Sequence, residues 1–502
     1  MPLLLSRTAL SSLPSSVAVP RYDPGAVAVG IVHLGIGAFH RAHQAVYTDD
    51  ALALAGGAWG ICGVSLRSAD MRDRMNPQDG LYTVVEKART GVSYRVIGSV
   101  REVLFRGDEL ETILARMAAP ATRIVSLTIT EKGYCHDPAS GELNLAHPDV
   151  AHDLALPADP VTAVGLVVLA LDRRRASGGA PLTVLCCDNL PQNGRLVEVM
   201  VSAYARECSP ALAAWIAANV TFPSTMVDRI VPATTESDLA DVDRALGLLD
   251  AAPVVCEPFR QWVIAGDFAA GRPAWERSGT QFVTDVAPFE AMKLRLLNAS
   301  HSMLAYLGFL AGYETIWQVA ARPDFAALMR ALMEEATPTL ALPADVDLPA
   351  YKAALLERFG NPALPHRTQQ IAMDGSQKLP QRLLGTVRDN LAAGRPIDRA
   401  ALAVAGWMRY VSGADEAGGE IKISDPLAAD FARVAAAHRG DPVALARGLL
   451  GLTAIFGTDL PADPRFAAPV TRWLAALFAD GAASTVARAA GGHAPTSSGE
   501  PP

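Results

Sequence analysis

The stretch Val27-Ala28-Val29-Gly30-Ile31-Val32-His33-Leu34-Gly35-Ile36-Gly37-Ala38-Phe39-His40 reads as a buried strand that ends in a glycine turn and opens a helix. Val27 to Leu34 is apolar but for His33, and a helical stretch continues to about Ala55. Glycines at such a turn let the backbone approach a pyrophosphate at a helix N-terminus, which is the setting of the dinucleotide fingerprint. The third glycine position carries His40, so the fingerprint is incomplete and a plain turn is the alternative. Gly35, Gly37, Ala38, Phe39 and His40 are the candidate cofactor contacts.

Working outward, Trp59 to Leu66 reads as a second strand, and Arg67-Ser68-Ala69-Asp70 places an acid just past it. A carboxylate there can accept both adenosine ribose hydroxyls and repels a 2′-phosphate, whereas Arg67 would attract one. NAD is favoured over NADP, with a helix N-cap as the other reading of Asp70. Tyr82–Glu86, Tyr94–Val100, Arg123–Thr130 and Leu182–Cys187 read as further strands. Helices are expected near Asp108–Met117, Val161–Ala176 and Arg195–Ala218, an alternation that predicts a mainly parallel sheet with crossover helices. From Phe289 onward helix-period segments dominate. The expected organisation is an α/β Rossmann-type domain over 1–287, a mostly α-helical domain over 288–489, and a disordered Gly/Ser/Pro-rich tail over 490–502.

Composition narrows the function classes. The 502 residues carry a net charge of −8, with 50% hydrophobic and 19% charged residues, so bulk disorder is excluded. No basic block suits a nucleic-acid partner, although a few local cations suffice for an anionic small substrate. The six cysteines form no CxxC pair, which suggests neither a disulfide framework nor a zinc knuckle. The N-terminus lacks the features of a signal peptide, and the apolar run Ala163–Leu171 is far too short to span a bilayer. A cytoplasmic protein with a small-molecule substrate, no membrane and no metal is expected; its oligomeric state is open.

The richest stretch is Glu290-Ala291-Met292-Lys293-Leu294-Arg295-Leu296-Leu297-Asn298-Ala299-Ser300-His301. At about 100° per residue, setting Lys293 at 0° puts Glu290 at roughly 60°, His301 at roughly 80° and Asn298 at roughly 140°. These polar groups share one flank of an otherwise apolar helix, so that flank is expected to be semi-buried. A buried lysine has a pKa lowered toward the working range of a general base, and an amide can stabilise a developing alkoxide. A solvated stripe with a structural histidine is the alternative.

Together with Gly35–Gln44, Ser126–Glu131 and Cys187-Asp188-Asn189, these residues resemble the polyol-specific long-chain dehydrogenases, over nearly the whole chain from Tyr22 to Ala489. The resemblance implies zinc-independent hydride transfer between NAD and an open-chain sugar carbonyl. It implies Lys293 as acid/base, Asn189 and Asn298 as the oxyanion pair, His301 as the group positioning the reacting oxygen, and Glu131 as a proton gate. It also places Asp70 at the adenosine ribose and Asp228 near the nicotinamide, with a structural ion pair to Arg229 as the other reading of Asp228.

Within that family, His366-Arg367-Thr368 and Gln377-Lys378-Leu379-Pro380-Gln381-Arg382 look more like the fructuronate reductases, which interconvert D-fructuronate and D-mannonate. Gln370 stands where mannitol 2-dehydrogenases carry an arginine. Lys378, Arg367 and Arg382 are the cations available for a carboxylate, with Arg382 read as a surface or ion-paired residue. Mannitol 2-dehydrogenase is the alternative activity, and a catalytically silent nucleotide-binding sensor is the alternative of another class.

Overall fold

A computed structural model describes residues 3–137 and 140–491. The chain divides into two compact units, the first ending at Ala287 and the second beginning at Pro288. Of the tail expected to be disordered, residues 492–502 lie outside the described residues.

The first unit is built on six parallel strands: β1 (Val29–Leu34), β2 (Gly60–Ser65), β3 (Val100–Phe105), β4 (Ile124–Leu127), β5 (Leu182–Cys186) and β6 (Val220–Thr221). Their order across the sheet is β3-β2-β1-β4-β5-β6, every neighbouring pair being parallel. Helices cover both faces, which is why the central strands read as continuous apolar runs rather than alternating ones. This is the doubly wound order, whose direction reverses between β1 and β4 and leaves a crevice at the strands' carboxyl ends. The glycine turn follows β1 and the Thr128–Thr130 segment follows β4, so both sit at that crevice.

Several boundaries differ from expectation for local reasons. The segment Tyr94–Val100 is not one strand: Gly91–Ile97 ends at Gly98-Ser99, and Val100 opens β3 in another sheet. The helix after the glycine turn breaks at His43 (φ −124°, ψ −91°), giving Ala38–Ala42 and Gln44–Ala55. The helices expected over Arg195–Ala218 run from Asn193 to Cys208 and from Pro210 to Asn219, since Pro210 has no N–H to continue the first and instead starts the second. Two smaller sheets were not anticipated. One orders Val17–Ala18, Gly91–Ile97, Tyr82–Ala88 and Val254–Cys256; the other orders Ser224–Asp228, Gln261–Ala265 and Gln281–Val283.

The second unit is helical. Asp398–Val411 is buried along nearly its whole circumference, packing on Ala299–Leu310 and on the long helix Pro464–Ala490. Two stretches of wider turn interrupt the α-helices: Lys293–Asn298 and Pro380–Leu384 are π-helical and pack against each other. Such turns are uncommon and concentrate at functional sites.

Candidate active site

In the first unit the site grows from the end of β1. Gly35 has φ +96°, and a Cβ there would meet the Thr128 carbonyl oxygen at 2.2 Å, so only glycine suits the turn. The ring beneath it is His33, whose Nδ1 lies 2.8 Å from Ser126 Oγ and whose Nε2 lies 2.9 Å from Thr128 Oγ1 and 3.2 Å from the Gly35 carbonyl. Gly35, Ile36, Gly37, Ser65 to Ser68 and Thr128 to Thr130 line a cleft of about 380 Å³. A glycine backbone at the switch point with an open cleft above it fits a dinucleotide.

Not every expected contact lies there. Gly37 is exposed, and Ala38 and Phe39 are half-buried beside it. The His40 ring is a correction: it is fully buried, stacked on His33 with ring centroids 3.4 Å apart, and burial holds its pKa far below the ordinary histidine value. It fills the space between helix and sheet beneath the cleft and does not line it. Asp70 is exposed at the first position of the helix Asp70–Met75, with Ala69 as N-cap, and accepts from Ser68 Oγ at 3.1 Å. Its neighbours Arg67, Ser68 and Met71 line the cleft.

Asn189 is exposed just beyond β5 and Glu131 is exposed in the short turn Glu131–Tyr134 beyond β4. Asp188 ties these two loops together, a role the sequence reading did not assign. Its carboxylate accepts from Ile129 N and Thr130 N, each at 2.9 Å, and from the Tyr134 hydroxyl at 2.6 Å. Those bonds support the left-handed Thr130 (φ +65°) and so set where Glu131 leaves the sheet. Asp228 is buried at the end of Ser224–Asp228, and Arg229 forms its ion pair with Glu86.

In the second unit the π turn changes the helical arithmetic. Ala299 N–H bonds the Leu294 carbonyl five residues back, so each residue advances by less than the α-helical angle. Lys293 and Asn298, five apart, are therefore closer in azimuth than the α-helical spacing predicts. Both are buried, at 7% and 8% exposure, as expected of a semi-buried polar flank. His301 is half-buried, tilted against Phe359 at 5.1 Å and His366 at 5.8 Å between ring centroids. Burial first, then the charges of His366, Arg382 and Lys378, push its pKa well below the usual value, so the ring is neutral. Its buried Nε2 has no partner among the described residues.

The three candidate cations part company. Arg367 is exposed and stands 3.8 Å from Glu314, while Gln370 is exposed as well. Lys378 is half-buried and donates to the carbonyls of Met373 at 2.6 Å and Ile371 at 3.3 Å; burial, helped by Arg382, lowers its pKa to about 8. Arg382 is neither a surface residue nor ion-paired, contrary to expectation. It is half-buried, donates to Ser302 Oγ at 3.0 Å and to the Asn298 carbonyl at 3.4 Å, and has no carboxylate partner among the described residues. The described residues hold no cluster of three or more His, Cys, Asp or Glu able to bind a metal ion, and none of their helices is long and apolar enough to cross a membrane.

A doubly wound sheet with a glycine cradle at its switch point, followed by a helical unit that buries a lysine beside an amide, defines a two-domain nucleotide-dependent oxidoreductase. Residues 29–277 match the mannitol dehydrogenase Rossmann domain and residues 285–478 the mannitol dehydrogenase C-terminal domain, so the chain belongs to the mannitol dehydrogenase family of polyol and uronate dehydrogenases. It is 50% identical to D-mannonate oxidoreductase of Escherichia coli, over 95% of this chain and 98% of that protein. It is 42% identical to mannitol 2-dehydrogenase of Phaeosphaeria nodorum, over 97% of this chain and 85% of that one. Among solved structures, Pseudomonas fluorescens mannitol 2-dehydrogenase in ternary complex with NAD and D-mannitol matches at 42% identity and a TM-score of 0.83, covering 96% of this chain and 99% of that chain.

Proposed function

We propose that the protein is an NAD-dependent oxidoreductase that interconverts D-fructuronate and D-mannonate, with Lys293 as acid/base. The observation that carries the reading is the buried Lys293–Asn298 pair on the π turn, in a unit whose nearby cations Lys378 and Arg382 have no carboxylate partner among the described residues. The 50% identity to D-mannonate oxidoreductase supports the uronate, and the ternary complex of the mannitol relative supports the cofactor.

The Gly35–Gly37 turn and Asp70 would hold NAD, which when bound would supply the hydride donor or acceptor. Lys293 Nζ gives a proton to the carbonyl oxygen in reduction and takes the hydroxyl proton in oxidation. The Asn298 amide donates to the same oxygen as charge grows on it, with Asn189 proposed as the second amide. One strong donor of this kind is worth about 2.7–4 kcal/mol in the transition state. Neutral His301 offers Nε2 to a sugar hydroxyl. Exposed Glu131 suits the relay of a proton to water.

The test is NADH oxidation with fructuronate, tagaturonate and fructose side by side. The highest kcat/KM is expected with fructuronate. A preference for fructose would replace this reading with mannitol 2-dehydrogenase, and no turnover with any ketose would leave the silent nucleotide binder.

A further inference from the structure

We propose that Arg382 selects a carboxylate-bearing substrate, its open guanidinium edge taking the carboxylate in a forked pair. The proposal rests on the uronate reading above and names the group that enforces it. Only Nη1 of Arg382 is engaged, by Ser302 Oγ and the Asn298 carbonyl; Nε and Nη2, the edge that matches a carboxylate, have no partner among the described residues.

The surrounding helices treat their other arginines differently. Arg388 pairs with Asp459, Arg465 with Asp463, and Arg472 with Asp398. Arg409 has no carboxylate partner among the described residues, but its two terminal nitrogens cap Ser412 Oγ and the carbonyls of Ala414 and Asp415. Of the acids near Lys378, Asp425 is occupied: it accepts from Ser376 N at 2.9 Å, Ser376 Oγ at 2.6 Å and Leu427 N at 2.9 Å. Burying a guanidinium without a counter-charge is unfavourable, and a substrate carboxylate would remove that cost on binding. Lys378 and His301 both sense the Arg382 charge, and Lys378 also senses the acids Asp374 and Asp425.

The Nη1 anchor also places the selector on the catalytic turn, since it grips the backbone of the residue whose amide faces the reacting oxygen. A sugar held at one end by Arg382 and at its carbonyl by Asn298 would be fixed at two points.

The experiment compares kcat/KM for fructuronate and fructose in wild type, Arg382→Gln and Arg382→Lys, with thermal melting of each. In Arg382→Gln the fructuronate/fructose ratio is expected to fall about ten- to a hundredfold, the worth of a charge-assisted hydrogen bond. Arg382→Lys, which keeps the charge without the fork, should fall less. Because Arg382 also braces the turn, the ratio is decisive rather than either rate alone. A second measurement uses the wild type with NADH bound: phenylglyoxal labelling of Arg382, followed by mass spectrometry, should be blocked by mannonate and not by mannitol. A wild type that prefers fructuronate while the ratio survives Arg382→Gln, or labelling that mannonate does not block, overturns the assignment of Arg382 and leaves the uronate reading standing. A wild type that prefers fructose overturns the reading itself.

Discussion

Gly35 and Thr128 stand so close that a Cβ on residue 35 would lie 2.2 Å from the Thr128 carbonyl oxygen. Neither side can give way, because Thr128 is held by its own N–H to the Leu34 carbonyl at 3.0 Å and its hydroxyl to the Gly35 carbonyl at 2.8 Å. Gly35→Ala therefore adds a backbone clash to a left-handed φ, which alone costs about 1–3 kcal/mol. A lower melting temperature and NADH affinity weakened by about tenfold or more are expected. Gly37→Ala is the control for stability, since its Cβ meets nothing nearer than 3.8 Å and its φ is −81°. Differential scanning calorimetry should separate the two, and equal melting temperatures would remove the structural argument for Gly35.

If Lys293 and Asn298 act on the reacting oxygen as proposed, and not on recognition, their removal should depress all substrates alike. Asn298→Ala is expected to lower kcat about 10²–10³-fold, as loss of an oxyanion donor does elsewhere. Lys293→Ala should lower kcat on fructuronate and fructose by the same factor and flatten the pH dependence of kcat. A selective loss on one substrate would place these residues in recognition instead.

If Asp70 binds the adenosine ribose as proposed, it sets cofactor choice. NADH should support faster turnover than NADPH, and Asp70→Ala should weaken NADH more than NADPH, because the carboxylate gives up hydrogen bonds to the ribose hydroxyls and no longer repels a 2′-phosphate. Steady-state kinetics with both cofactors decide it. Wild-type preference for NADPH would make exposed Arg67, which lines the cleft, the residue that sets the site.

The parts of this molecule that read well from the sequence are those set by local pattern. Strands β1, β2, β4 and β5 are largely apolar, buried runs, and the glycine turn lies between one of them and a helix. The parts that did not are set by tertiary placement. The Gly98-Ser99 corner divides what reads as a single strand, and only the pairing of Val100–Phe105 with β2 shows which sheet receives it. A π turn has no signature in apolar spacing, so 100° arithmetic separates Lys293 from Asn298 more than the helix does. Pro380, which cannot donate to the turn before it, was the available hint for the second one. Arg367 and Arg382 are indistinguishable as letters; what differs is that one faces Glu314 at the surface and the other is half-buried without an acid.

If Lys378 helps hold a substrate carboxylate, the choice between substrates should depend on pH. Burial, reinforced by the Arg382 charge and opposed by Asp374 and Asp425, lowers its pKa from 10.5 to about 8. Below that value Lys378 is a cation and attracts a carboxylate; above it the amine is neutral and the attraction is lost. A uronate carboxylate, with a pKa of about 4, is ionised throughout this range, and His301 is held neutral by its burial. The fructuronate/fructose ratio of kcat/KM should therefore be level from pH 6.5 to about 7.5 and fall several-fold, about tenfold at most, by pH 9.5. The ratio cancels any pH effect common to both substrates. The fall is partial because Arg382 stays charged. In Lys378→Met the ratio should start lower and show no inflection near pH 8. A wild-type ratio that is level across the whole range would take Lys378 out of carboxylate recognition, and an inflection that persists in Lys378→Met would assign it to another group.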